Sequence, residues 1–280
     1  MSPSFPVKAL LLIGGKSRRM GRDKASLVFE GKSLLDRTLE VVTPHIGDVY
    51  LSVAHDDERS FSRPVIADLS PDPGPLGGLQ AAFAKDPDTA WFVIACDLPL
   101  FDEATLLHLL ENADPSQAAS CFLNRLDGRA EPLCTLYQPS AAKQLADYLA
   151  ADRRCARKFL ESLSPQTFPL PNPLALDNAN RPEQLNELNE LKLLAEDGMI
   201  SKEVTITYFG KLSAEVPAAE EKLTTTAATL AGLYEEVRMK HHLSLDLDTV
   251  KAVLADEFVD WSTPLPEGGQ VAFLPPFAGG

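Results

Sequence analysis

Ala9-Leu10-Leu11-Leu12-Ile13 runs directly into Gly14-Gly15-Lys16-Ser17-Arg18-Arg19-Met20-Gly21-Arg22-Asp23-Lys24. A short apolar run of this kind reads as a buried strand, and paired glycines end it abruptly. Five basic residues then fall within nine positions: Lys16, Arg18, Arg19, Arg22 and Lys24. Glycine lets the backbone approach a ligand and turn its N–H groups inward, and the cations supply what a polyphosphate requires. A solvated basic loop is the alternative reading of the same run.

Outward from this stretch, strands and helices alternate. Leu27–Phe29 is a short extended piece, and Ser33 is placed to cap a helix holding Leu34, Leu35, Leu39 and Val42. Val49–Val53 and Val65–Ile66 read as the next strands, the second ending at Asp68. A Pro/Gly-rich loop, Pro71 to Gly78, precedes a helix expected from about Leu79 to Lys85. Trp91–Cys96 is apolar throughout, as in the centre of a parallel sheet, and leads into Asp97-Leu98-Pro99 and a helix over Asp102–Asn112. Such alternation predicts a doubly wound, mostly parallel α/β sheet with ligands at the carboxyl ends of its strands. The basic loop, Asp68 and Asp97 each follow a predicted strand, so they are expected to converge on one rim.

Ala118–Leu123 and Leu133–Tyr137 are further strands, Ser140–Ala151 is a helix, and Arg153, Arg154, Arg157 and Lys158 form a second basic cluster. That cluster reads equally as a solvated helix face or as a contact for a substrate phosphate. Pro182 suits the first turn of a helix carrying Leu185, Leu188, Leu191 and Leu194. The pattern breaks near Asp197-Gly198. Val204–Phe209 then alternates, Thr224–Lys240 reads as one helix, and Val250–Leu254 and Val271–Leu274 as strands, making a small α+β unit. The expected organisation is a domain over 1–190, a linker over 191–202 and a second domain over 203–280.

The whole chain of 280 residues carries a net charge of −14. Residues 1–200 hold 20 basic and 28 acidic groups, residues 201–280 hold 6 and 12, so neither part is basic. General binding to nucleic acid is therefore not expected, and the C-terminal part favours a basic partner surface. No apolar run approaches the roughly 20 residues of a membrane span. No secretory signal is evident, and four scattered cysteines without a C-x-x-C pair fit a reduced cytoplasm. His45, His55, His108, His241 and His242 show no metal-ligand spacing.

The first part suits metal-dependent nucleotidyl transfer. A substrate phosphate is already an oxygen nucleophile, so the protein needs only to position it, hold Mg²⁺ and neutralise the leaving pyrophosphate. Asp97 offers the hard oxygen ligand that Mg²⁺ prefers. Arg19 and Lys24 are placed to neutralise a triphosphate, the amides near Gly14 and Gly15 to hold the nucleotide, and Asp68 to orient the nucleoside or assist the metal. A helix cap or turn former is the alternative for either aspartate.

The run Leu12-Ile13-Gly14-Gly15-x-Ser17-x-Arg19-Met20-Gly21-x-Asp23-Lys24 resembles the signature of molybdenum cofactor guanylyltransferases. Asp68 before Gly74-Pro75-Leu76-x-Gly78, Cys96-Asp97-x-Pro99, Glu131-Pro132-Leu133 before Tyr137, and Asn178-x-Asn180-x-Pro182 extend the likeness over residues 7–190. It implies a Rossmann-like nucleotidyltransferase sheet and transfer of GMP from GTP to the terminal phosphate of molybdopterin or its molybdenum form. It also implies backbone contacts to the nucleotide from Leu12, Ile13 and Gly14, GTP binding by Lys24 and Asp68, and Mg²⁺ on Asp97. Asn178 and Asn180 would lie near the pterin substrate or the metal. Ile13 departs from the pattern, where the family usually has alanine.

The chain ends Val271-Ala272-Phe273-Leu274-Pro275-Pro276-Phe277-Ala278-Gly279-Gly280. A tail without Cβ atoms threads a narrow site, two prolines stiffen its approach, and the terminal carboxylate can be adenylated and converted to a thiocarboxylate. With Val204–Phe209 and Gly210, this end resembles the small sulfur-carrier subunit of molybdopterin synthase, which implies a ubiquitin-like β-grasp fold over 203–280. The implied partners are the large subunit of that synthase and an adenylating, sulfur-transferring enzyme acting on Gly280. Sulfur carriers for thiamine are the near alternative. The combined expectation is a bifunctional fusion in molybdenum cofactor biosynthesis. Its rivals are a cytidylyl or sugar-phosphate nucleotidyltransferase fused to the carrier, or a degenerate scaffold in which only the carrier works.

Overall fold

The opening apolar run becomes β1 (Val7–Leu12) in the computed structural model, which describes residues 5–13, 26–71, 73–196 and 200–276. Ala9, Leu11 and Ile13 are buried in one apolar cluster and Leu10 in another, so the strand has a core on each face. Two-sided burial is why its sequence is continuously apolar and not alternating.

The chain divides into two units, Met1–Leu123 with Ala130–Asn189, and Asn124–Arg129 with Glu190–Gly280. After β1 come β2 (Val28–Phe29), β3 (Lys32–Ser33), α1 (Leu34–Val42), β4 (Val49–Val53), β5 (Val65–Ala67), α2 (Pro75–Lys85) and β6 (Ala90–Ala95). They are followed by α3 (Glu103–Asn112), β7 (Ala119–Leu123), β8 (Ala130–Tyr137), α4 (Ala141–Ala150), α5 (Ala156–Ser162), β9 (Gln166–Phe168) and α6 (Pro182–Glu196). Seven strands form one sheet in the order β5-β4-β1-β6-β8-β7-β9. β5, β4, β1 and β6 are mutually parallel, β8 runs antiparallel to β6 and to β7, and β9 is parallel to β7.

Chain order and sheet order part company at β1, which has β4 on one side and β6 on the other. Such a switch point opens a crevice at the carboxyl ends of the strands, the ligand position in open α/β sheets. Local chemistry fixes the helices around it. Ser33 caps α1, its hydroxyl accepting from Asp36 N at 3.0 Å, and Asp102 caps α3 by accepting from Thr105 N at 2.9 Å. Each such cap stabilises its helix by about 1 kcal/mol.

Some expectations are corrected. The helix expected from Leu79 starts at Pro75, because proline lacks the N–H that the first turn leaves unpaired anyway. Within 191–202, expected as a linker, α6 continues to Glu196 and the next strand begins at Lys202. α5 carries Arg157 and Lys158 of the second basic cluster, and β9 is too short for a clear period to mark it.

The second unit contains β10 (Lys202–Tyr208), α7 (Lys211–Glu215), β11 (Glu220–Thr225), α8 (Leu230–His241), β12 (Lys251–Leu254), β13 (Glu257–Val259) and β14 (Gln270–Leu274). Thr224–Lys240 is thus not one helix. Thr224 and Thr225 finish β11 opposite Glu203 and Lys202, as β-branched residues prefer, and the Thr229 hydroxyl caps α8 by accepting from Gly232 N at 3.3 Å. The sheet order is β11-β10-β14-β12-β13, with β10 and β14 parallel and the other pairs antiparallel. Leu230, Leu233, Tyr234 and Val237 of α8 share one core with Val204, Ile206, Tyr208, Val271 and Phe273. A mixed sheet with one helix packed against it is the β-grasp arrangement. No helix among the described residues is long and apolar enough to cross a membrane.

One ionic cluster ties β10, β11 and α8 together. The Glu221 carboxylate takes a hydrogen bond from Tyr208 Oη at 2.6 Å, pairs with Lys240 Nζ at 2.6 Å and meets His241 Nε2 at 2.7 Å. Burial alone would raise its pKa, but the Lys240, Tyr208 and His241 hydrogen bonds win and hold it at about 2, against 4.5 ordinarily. A carboxylate depressed in this way stabilises the folded unit above its unfolded pKa, and the contribution disappears as pH falls from about 4.5 towards 2. Glu221→Gln should therefore lower stability at pH 7 by up to about 3 kcal/mol and flatten its fall between pH 5 and 2. Thermal unfolding followed by circular dichroism across that range checks both effects.

Candidate nucleotidyl-transfer site

Strand register decides what meets at the rim. Leu12 lies opposite Ser52 of β4 and Ala95 of β6, and Val53 lies opposite Ala67 of β5. The next residues extend these ladders: Ile13 N donates to Ser52 O at 3.3 Å, Cys96 N to Leu12 O at 3.4 Å and Asp68 N to Val53 O at 3.0 Å. Ile13, Asp68 and Asp97 therefore leave the sheet along one edge, with β1 between the two aspartates. β5 and β6 are three strand spacings apart, about 14 Å at about 4.8 Å per spacing.

Asp68 is half-buried, and among the described residues its Oδ1 has no hydrogen-bond partner. Burial pushes its carboxyl up to about 6, while the charge of His55 acts in the opposite direction. The His55 ring nitrogen Nδ1 lies 2.9 Å from the Asp68 carbonyl oxygen. The glycine-rich start of α2 closes in on the same place. A Cβ on Gly77 would strike the Pro73 ring and come within 3.1 Å of Asp68 Oδ1. One on Gly78 would strike Ser52 Oγ and stand 3.1 Å from Leu12 Cδ2. Only glycine lets this turn sit on the strand ends. A buried carboxyl oxygen left without a donor costs about 1–3 kcal/mol, which a ligand N–H or O–H would recover.

Asp97 is half-buried at the end of β6, and its carbonyl oxygen accepts from Ala179 N at 2.9 Å. That bond brings the segment with Asn178 and Asn180, both exposed, to the end of β6. The structure thus joins Asp97 to the asparagine pair and sets Asp68 on the same rim. Gly14, Gly15, Arg19 and Lys24, like Gly279 and Gly280, lie outside the described residues.

Ile13 is 6% exposed and packs in the core cluster with Leu98, Phe101 and Leu176, so its extra bulk over alanine fills protein interior. Leu12 is partly buried against the opposite core. The second basic cluster is largely engaged by its neighbours. Arg154 pairs with Asp152 at 2.8 Å, Arg153 stands over the Tyr148 ring at 5.6 Å, and Arg157 is 3.9 Å from Glu131 Oε2. Sequence reasoning missed Asn172, whose side chain binds the loop after Asp97. No local pattern marks it, because its partners lie far along the chain.

Among the described residues no group of three or more His, Cys, Asp or Glu side chains could hold a metal ion. Asp97 presents a single carboxylate at the end of β6. This fits Mg²⁺, which is commonly held by one or two carboxylates together with substrate phosphates.

Residues 9–167 match the model of the MobA-like NTP transferase domain, and residues 206–280 match the ThiS family. A molybdenum cofactor guanylyltransferase of Pseudomonas paraeruginosa is 33% identical over 192 residues, covering 67% of this chain and 96% of that protein. A molybdenum cofactor biosynthesis bifunctional protein of Synechocystis is 28% identical over 187 residues, 66% of this chain, and the match spans only 54% of that relative's length. Among solved structures, molybdopterin-guanine dinucleotide biosynthesis protein A of Archaeoglobus fulgidus shares the fold of the first unit. Its TM-score is 0.55 at 24% identity, over 66% of this chain and 98% of that one. With a switch-point crevice, a glycine-rich turn and two strand-end aspartates on one rim, followed by a ThiS-family domain, the chain belongs to the MobA-like NTP transferase family.

Proposed function

We propose that the first unit transfers GMP from GTP to the terminal phosphate of molybdopterin or its molybdenum form, and that the second carries sulfur as a thiocarboxylate on Gly280. The observation that carries the first half is the convergence of Asp68, Asp97 and the Asn178–Asn180 segment on the rim beyond β1. The substrate phosphate oxygen attacks the α-phosphorus of GTP. One P–O bond forms, the bond to the β-phosphate oxygen breaks, and pyrophosphate leaves with its electron pair.

Each residue has a defined task in this reading. Backbone at Leu12, Ile13 and Gly14 contacts the nucleotide, the amides near Gly14 and Gly15 hold it, and Asp68 accepts from a donor of the nucleoside through its unpaired oxygen. Arg19 and Lys24 neutralise the triphosphate and the leaving pyrophosphate. Asp97 holds Mg²⁺, which supplies charge neutralisation and alignment of the phosphates. Asn178 and Asn180 orient the pterin substrate. The second unit hands sulfur to the large subunit of molybdopterin synthase after an adenylating, sulfur-transferring enzyme activates Gly280. Buried thiols at Cys96, Cys121 and Cys134, none joined in a disulfide, suit a reducing cytoplasm as the compartment of this work.

Pyrophosphate release by the intact chain, with Mg²⁺, molybdopterin and each of GTP, ATP, CTP and UTP in turn, tests the transferase. GTP should exceed the others by at least about a hundredfold in kcat/KM, as expected when buried polar groups read a base edge. Preference for CTP overturns the guanylyl reading.

A further inference from the structure

Asn172 fastens two stretches of chain 70 positions apart. Its Nδ2 donates to Leu100 O at 3.1 Å and to Asp102 Oδ2 at 2.9 Å, while its Oδ1 accepts from Leu174 N at 3.0 Å. An amide of this length has two donors and an acceptor at one tip, and all three functions are used. Asp102 is also fully engaged, since its other oxygen caps α3 by accepting from Thr105 N at 2.9 Å and Thr105 Oγ1 at 2.6 Å.

From Asn172 the chain folds through two tight turns, with Ala175 N donating to Asn172 O and Asp177 N to Leu174 O, each at 3.0 Å. Leu174, Ala175, Leu176 and Asp177 are buried, so the segment is packed down and not draped over the surface. Its far end is fixed where Ala179 N meets Asp97 O at 2.9 Å. Gln184 Oε1 then accepts from Asn180 N at 2.8 Å and from Arg181 N at 3.1 Å. The loop from Asp97 to Asp102 and the segment from Asn172 to Asn180 are therefore sewn together at both ends. Asn178, exposed, lies between the fastenings, and Asn180 just beyond the second.

We propose that Asn172, through its clamp on Leu100 and Asp102, is a positioning residue that holds Asn178 and Asn180 against the Asp97 loop and so sets affinity for the molybdopterin substrate. This rests on the proposed role of the asparagine pair. Asn172 need not touch either substrate. Losing the clamp frees one end of the segment, so orientation of the acceptor suffers while the nucleotide contacts around β1 and Asp68 stay in place.

Asn172→Asp removes both donated hydrogen bonds and sets a second carboxylate against Asp102. The KM for molybdopterin should rise about tenfold, the scale of one hydrogen bond to a charged group, with the KM for GTP changed less than about twofold. Asp102→Asn combined with Asn172→Asp restores an amide-to-carboxylate bond with the roles exchanged and should recover most of the loss. Asn172→Ser deletes the reach without adding charge and should show the same selectivity on a smaller scale, which decides the matter if N172D does not fold. The proposal is overturned by a folded N172D or N172S with unchanged molybdopterin KM, by equal rises in both KM values, or by a folded double variant that recovers nothing. A wild-type chain that releases no pyrophosphate from GTP overturns the guanylyl reading and this inference together. Wild-type turnover with an unselective N172D overturns this inference alone.

Discussion

Asp97→Ala should reduce GMP transfer roughly a thousandfold or more while leaving the first unit folded, a loss on the scale of removing a main electrostatic element from a phosphoryl-transfer site. The segregation of effects follows from how Asp97 is used. Its main chain seats the Asn178–Asn180 segment through the bond from Ala179, and alanine preserves that bond. Only the carboxylate is lost, and with it the strand-end oxygen ligand proposed for Mg²⁺. Pyrophosphate release with GTP and molybdopterin gives the rate, and far-ultraviolet circular dichroism reports the fold. Retained transfer in the alanine variant would place the metal ligand elsewhere. Sulfur loading at Gly280 should be unaffected, because that chemistry belongs to the other unit.

One alanine appended after Gly280 should abolish thiocarboxylate formation altogether while changing pyrophosphate release from GTP by less than about twofold. These sites lie in separate units of the chain, each with its own chemistry. The chemistry is all-or-none, since the Gly280 carboxyl becomes an amide that cannot be adenylated. Geometry adds to it. β14 is held on both sides, by β10 and by β12, and Phe209 N donates to Phe273 O at 3.1 Å. The tail thus departs from a fixed strand end at Leu274 through Pro275 and Pro276. Each added residue moves a terminal carboxylate by up to about 3.5 Å. Intact-mass measurement after incubation with ATP, the activating enzyme and sulfide, which displaces AMP from the acyl-adenylate, reads the exchange of oxygen for sulfur directly. Loading of the extended chain would show that Gly280 is not the carrier terminus.

Much of this was legible in local sequence. The buried strand at Ala9–Ile13, the alternation that makes a doubly wound sheet, and the placement of Asp68 and Asp97 after strands all follow from short-range periodicity. Thr224 and Thr225 show where local spacing misleads. The helix starts only at Leu230, and the β-branched Thr224 and Thr225 before it lie in the sheet opposite Glu203 and Lys202. The strand's partner lies some twenty residues earlier, outside any window that a periodicity argument uses.

By itself the sequence determined the layer architecture, the order of its elements and the residue types gathered at the strand ends, because side chains repeat every 2 residues in strands and every 3.6 in helices. Only the tertiary structure decided that Ile13 fills the core, that Asp68 keeps a buried oxygen without a partner among the described residues, and that Asn172 binds the Asp97 loop. Those outcomes depend on register, on which face a side chain takes, and on contacts between residues far apart in the chain. Such contacts form when the sheet brings its strand ends together, and no local spacing encodes them.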